Sequence, residues 1–227
     1  MGAHPSTVPG LPGHSELSSG YRGAELLREV LDVVDPYTGD HSRAVVKLSV
    51  AVTEVMDLDA GRRRDVEYAA MLHDVGKIRI PTHIINKPDR LDEAEWELMR
   101  RHTLEGESML EQLGGALAGI GRFVRSSHER YDGRGYPDGL AGEQIPIESR
   151  IVCVCDAYDA MTTDRPYCAA RQAAEALEEL GRCSGSQFDP SVVEAVQAVV
   201  QRRSQARPRA PELVGAPRGI PVAHSVT

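Results

Sequence analysis

Apolar positions along this chain recur at intervals of three and four residues, the spacing that lines side chains along one face of a helix. Leu27, Leu31 and Val34 share a side of Glu25–Val34. After the turn-forming Pro36-Tyr37-Thr38-Gly39, a helix of about 16 residues carries Val45, Leu48, Val52 and Val55. Val66, Ala69 and Ala70 continue the pattern through Arg62–Val75, and Asp92 starts a helix over Glu93–Met109 with a break near Gly106. Leu117–Glu129 follows, then the Gly/Pro-rich loop GYPDGLAGEQIP, then helices over Ile147–Met161, Ala169–Gly181 and Pro190–Arg202. The run RIVCVCDAYDAM is apolar enough for a buried strand, but its length and Ala-rich continuation favour a helix. No alternation of strands and helices appears. The expectation is an all-α, compact bundle of about seven to eight helices over residues 23–203. Residues 1–22 and 204–227 are rich in Pro, Gly and Ser, lack a periodic apolar face, and read as disordered tails.

Composition narrows the function. The chain has 227 residues, 26 Lys+Arg against 34 Asp+Glu, and a formal net charge of −8. An acidic chain is poorly suited to gripping a nucleic-acid backbone, so no nucleic-acid polymer is expected as partner. No apolar run is long enough for a transmembrane helix, the N-terminus has no secretory signal, and no membrane partner is expected. Cys153, Cys155, Cys168 and Cys183 do not make a disulfide framework or a zinc site by spacing; reduced thiols in a cytoplasmic protein are expected.

The histidines carry the chemistry. His41 precedes Val45 by four and Leu48 by seven; His73 follows Val66, Ala69 and Ala70; His102 follows Leu98 and Met99; His128 continues Ile120 and Val124. Each lies on the apolar side of its expected helix. One such histidine is ordinarily a hydrogen-bonded core residue. Four of them, with the Asp74 carboxylate beside His73 and Asp156 in another apolar stretch, point instead to a metal site, because a buried carboxylate is costly unless paired or bound to a cation. His and Asp donors without cysteine suit Fe, Mn or Mg, and the two oxygens of Asp74 allow it to bridge two ions.

At this point the chain resembles a known family. His73-Asp74-Val75-Gly76-Lys77 matches the signature of HD-domain metal-dependent phosphohydrolases, and HERYDGRGYP (128–137) matches the motif that names the HD-GYP subfamily. DPYTGDHS (35–42), IPIESRIVCVCDAYDAMTTDRPY (145–167) and Phe188-Asp189-Pro190 fit as well, so the resemblance spans about residues 26 to 200. It implies an all-helical hydrolase that opens a phosphodiester of cyclic di-GMP at a site of divalent metal, one or two ions here, with Fe or Mn leading and Mg, Ni or Zn compatible. The family's ligands fall on His41, His73, Asp74, His102, His128 and Asp156. Asp74 and Lys77 would be catalytic. Lys77, Arg165 and the loop residues Asp132, Gly133, Gly135 and Tyr136 would face substrate, and the Gly-Tyr-Pro loop could also receive a signalling protein. The chain departs from the pattern at Ser127, where the family has a second histidine; at Tyr37, where trinuclear members have Glu; and at Cys168, usually basic. The expectations are a more weakly held second metal, no third metal, and a weaker hold on phosphate. The same residues would also serve a hydrolase of another nucleotide or phosphate ester, or a domain that binds ligand or protein without turnover.

Overall fold

The computed structural model describes residues 14–35, 38–164 and 169–206. Among these residues there is no β-strand, only the isolated bridges Asp132–Ala141 and Ser184–Phe188. The helices are α1 (His14–Val34), α2 (Thr38–Val55), α3 (Ala60–Leu72), the short α4 (Thr82–Ile85), α5 (Glu93–Arg100), α6 (His102–Leu113), α7 (Gly115–Arg125), α8 (Ile147–Thr162), α9 (Ala173–Arg182) and α10 (Pro190–Ala206). Turns of 3₁₀ helix occupy Val75–Arg79, Ser126–His128 and Gly142–Gln144.

The centre is a three-helix packing of α2, α3 and α8. Val45, Leu48 and Val52 of α2 meet Val66, Ala69, Ala70 and Leu72 of α3, and Ile151, Val152 and Val154 of α8, all buried. Each buried Val, Leu or Ile among them contributes about 1.5–3 kcal/mol by leaving water. α9 and α10 close one flank through Leu180, Val192 and Val196; α6 and α7 close the other through Leu110, Ile120 and Val124; α1 lies across α2, α3 and α7.

The boundaries depart from the periodicity in instructive ways. α1 begins at His14, well before Glu25 and inside the stretch read as a tail. Its first turns lack a periodic apolar face, so the pattern that reveals buried faces is silent there, although extending a formed helix costs little. The helix expected over 93–109 is two helices. α5 is set by a capping box, Asp92 accepting from the Glu95 amide while Glu95 accepts from the Asp92 amide, and it ends at Arg100. The break falls at Arg101, not near Gly106, and it leaves Leu98 38% exposed, off the core face that the spacing assigned to it. α3 stops at Leu72 and α7 at Arg125, so neither reaches the histidine that follows it.

Gly106 has a different task. It sits in mid-α6 where the turn after His73-Asp74 presses on the helix backbone. A Cβ on Gly76 would lie 1.9 Å from the His102 carbonyl oxygen and 2.5 Å from the Gly106 amide nitrogen. A Cβ on Gly106 would lie 2.8 Å from Val124 Cγ1. Backbone atoms cannot swing aside as a flexible side chain can. Gly76→Ala should therefore destabilise the fold by at least about 2 kcal/mol, the scale of overpacking a filled core, read as a lower urea midpoint than that of Gly119→Ala, where a Cβ meets nothing within 4 Å.

Candidate metal centre

Six side chains from five segments converge. His41 comes from α2, His73 caps the C-terminus of α3 with Asp74 next to it, His102 opens α6, His128 ends the turn after α7, and Asp156 comes from α8. Only Asp156 lies well inside a helix; His41 sits in the first turn of α2, and the other three histidines occupy helix ends or the turns beyond them. His41, His73 and Asp156 place one ligand atom each within 4.8 Å of one another, and Asp74, His102 and His128 do the same. Asp74 faces both groups: its Oδ2 is 3.5 Å from His73 Nε2, and its Oδ1 is 3.7 Å from His102 Nε2.

The helix ends explain how the rings are aimed. The last carbonyls of a helix lack intrahelical donors. His73 Nδ1 lies 2.8 Å from the Ala70 carbonyl and His102 Nδ1 lies 2.7 Å from the Met99 carbonyl, in each case the residue three before it. A nitrogen that bonds a carbonyl must carry the proton, so Nε2 of a neutral ring is left with a lone pair. Nε2 of His73, of His102 and of His128 is buried without a hydrogen-bond partner. Buried polar atoms are rarely left so, and three of them beside two carboxylates fit a divalent cation.

The electrostatics agree. Burial pushes His102 down to about 4, assisted by neighbouring His128, and burial also lowers His128. Both rings are neutral at pH 7. Burial works against ionising Asp74 and Asp156, yet both carboxyls are held below the ordinary range, Asp74 by Lys77 and the histidines, Asp156 by the His41 hydrogen bond and nearby imidazoles. His41 shows the demand for positive charge. Burial opposes its protonation, but Asp156 at 3.1 Å and Asp159 at 2.6 Å raise it to about 9.

Sequence reasoning missed two supports. Asp159 is one helical turn beyond Asp156 and pairs with His41 Nδ1, an arrangement that fixes the ring. Its signal was the Asp156/Asp159 spacing in one face of α8. Asp35 accepts from Lys77 Nζ at 3.3 Å, and Asp74 Oδ2 accepts from the same ammonium at 2.9 Å. Lys77 is thus brought to the cluster, and its pKa is raised by the two carboxylates against the opposing effect of burial.

The loop residues divide. The Tyr136 ring stacks on His128 at 5.2 Å and lies edge-on to His102 at 6.5 Å, so it borders the cluster. Asp132 is instead engaged within the loop, with Arg130 at 2.7 Å and the Arg134 amide at 3.1 Å. Gly133 has φ +77°, and a Cβ on Gly135 would lie 2.2 Å from the Arg130 amide nitrogen; both shape the turn. Buried Glu129, adjacent to His128, anchors the same loop by accepting from the amides of Asp138 and Gly139. Ser127 donates to the Val124 carbonyl at 2.8 Å, the same three-residue capping contact made by His73 and His102. Arg165, Cys168 and Tyr37 lie outside the described residues. The thiols of Cys153, Cys155 and Cys183 are free. No helix among the described residues is long and apolar enough to cross a membrane.

Residues 25–192 match the model of the HD domain. The chain belongs to the HD-domain family. Curated relatives of this HD domain include a cyclic di-GMP phosphodiesterase of Pseudomonas aeruginosa, 42% identical over 74% of this chain and 41% of its own, and one of Thermotoga maritima, 38% identical over 75% and 47%. A 3'3'-cGAMP-specific phosphodiesterase of Vibrio cholerae is 32% identical over 74% of this chain and 36% of its own. The chain therefore spans less than half the length of these relatives. In fold, the HD domain is similar to the solved cyclic GMP-AMP phosphodiesterase of V. cholerae (TM-score 0.62, 20% identity, 80% of this chain and 49% of that one) and to an HDG"Y"P protein of Bdellovibrio bacteriovorus (TM-score 0.57, 19% identity, 71% and 51%).

Removing the carboxylate that orients His41 tests the aim of that ring. Asp159→Ala should weaken Mn²⁺ binding by about 10–100-fold, the usual effect of losing an outer partner of a ligating histidine, with an unchanged helical circular dichroism spectrum. Titration against a competing chelator measures it, and wild-type affinity would leave Asp159 without that role.

Proposed function

We propose that this domain hydrolyses a phosphodiester bond of a cyclic dinucleotide, with cyclic di-GMP the leading substrate, at a centre of two divalent cations. The observation that carries the reading is the convergence of three buried, unpartnered imidazole Nε2 atoms on two ionised carboxylates. The names of the relatives supply the substrate class.

In this reading His41, His73 and Asp156 would hold one cation, and His102 and His128 with Asp74, which also faces the first group, would hold the other. Imidazole and carboxylate donors without thiolate favour Fe or Mn, with Mg, Ni and Zn compatible. Such a pair supplies an activated water at neutral pH and positive charge for the phosphoryl oxygens. The side chains do the rest. Asp74 and Asp156 stay ionised, and His102 and His128 stay neutral, so these four donors are in their binding form at pH 7, whereas His41, raised to about 9, would release a proton on binding a cation. Lys77, fixed by Asp35 and Asp74, presents an ammonium where charge grows on the phosphate. Tyr136, stacked on His128, walls the site and limits water. With Ser127 already engaged by Val124, the second cation has His102, His128 and Asp74 as its protein donors. The loop from Asp132 to Gly142 is the surface at which a signalling protein would approach.

Metal analysis of anaerobically purified protein together with a cyclic di-GMP hydrolysis assay tests the proposal. Asp74→Ala should lose most bound metal and all turnover while remaining folded; wild-type metal content in that variant would refute the ligand assignment.

Lys77→Ala separates charge stabilisation from metal holding. Its turnover should fall about 10²–10³-fold, the size of losing one preorganised electrostatic group, with metal content near wild type. An unchanged rate would remove Lys77 from the chemistry.

A further inference from the structure

Most cations near the cluster are committed. Lys77 is held by Asp74 and Asp35, Arg130 by Asp132, and Arg125 by Glu107 and Asp138. On and beside α5, Lys87 is paired with Glu95 and Arg101 with Glu105. Arg100, the last residue of α5, differs from all of these. It is exposed, it forms no ion pair among the described residues, and its guanidinium carbon lies 5.6 Å from the centroid of the Tyr136 ring. The same ring stacks on His128 and meets His102 edge-on. One aromatic ring thus stands between an uncommitted guanidinium and the candidate metal centre. A guanidinium over an aromatic face is steadied by the ring while its N–H groups stay available. The break at Arg101 contributes to this placement, because α5 ends here and α6 begins at His102.

A cyclic dinucleotide carries two phosphodiesters, each a monoanion, and only one can sit among the metal ligands at a time. The other stays joined to it by the macrocycle, at the rim. There the acidic surroundings of Asp35, Asp74, Asp156 and Asp159 disfavour an anion unless a cation meets it. Arg100 is placed for that, and the planar fork of arginine matches the two free oxygens of a phosphodiester.

We propose that Arg100 is a specificity-determining residue that binds the second phosphate of a cyclic dinucleotide while the first is at the centre; this rests on the function proposed above. The role separates substrates with two phosphates from small phosphodiesters with one.

Steady-state kinetics of metal-loaded wild type, Arg100→Ala and Arg100→Lys test it, with cyclic di-GMP and bis(p-nitrophenyl) phosphate as substrates and metal content measured for each protein. Arg100→Ala should raise KM for cyclic di-GMP about 5–30-fold, the scale of losing a charge-assisted hydrogen bond at a partly open site, with kcat changed far less. Arg100→Lys should recover part of that loss. KM for bis(p-nitrophenyl) phosphate should move by less than about two-fold, since it has no second phosphate for the guanidinium to bind. An unchanged KM for cyclic di-GMP overturns the proposal. So does an equal rise for both substrates, or a loss of metal, since Arg100 would then be supporting Tyr136 and the histidines. If the wild type turns over neither substrate, the phosphodiesterase reading fails. Calorimetric binding of cyclic di-GMP to wild type and Arg100→Ala then decides the role of Arg100, with equal affinities or no binding overturning it.

Discussion

Burying the ionised carboxylate of Asp74, 5% exposed, costs free energy that only closely placed partners recover. The arrangement around it follows from that need. Lys77 bonds Oδ2, His73 and His102 flank the two oxygens, and Asp35 holds the lysine from the other side. His102 can reach Asp74 only if the turn carrying Asp74 packs hard against α6. That packing requires Gly76, where a β-carbon would run into the α6 backbone; a β-carbon on Gly106 would meet the Val124 side chain instead. Gly76 therefore sets how closely the turn carrying Asp74 approaches His102 on α6.

Helix ends supply the second device. A helix finishes with carbonyls that lack donors, and His73 and His102 satisfy one each through Nδ1. The same bond fixes the tautomer and turns Nε2 inward. Satisfying the backbone and presenting a ligand atom are thus one interaction, a physical reason for placing histidines just where helices stop. Ser127 makes the capping bond without offering an imidazole.

The loop that follows joins the centre to the surface. Glu129, next to His128, takes the amides of Asp138 and Gly139, which holds the intervening Tyr136 against the His128 ring. Within the loop, Asp132, Gly133 and Gly135 shape the turn, and Tyr136 borders the cluster.

The sequence by itself determined the all-helical class, the core faces of α2 and α3, and, together with the family resemblance, the gathering of His41, His73, Asp74, His102, His128 and Asp156. The faces were legible because a buried helix face repeats every three to four residues, whereas His73, His102 and His128 lie at helix ends, where the motif series rather than the period marks them. Only the tertiary structure decided where helices end, because α5 breaks at Arg101 to let α6 turn, a choice made by packing against Val75–Arg79 rather than by any local breaker. It also decided the partners that come from far along the chain. Asp159 meets His41 across 118 positions and Asp35 meets Lys77 across 42, separations at which no periodicity connects two residues. Arg100 beside Tyr136 belongs to the same class: two residues on segments with no shared period, brought together by the way α5 ends and the loop folds back over His128.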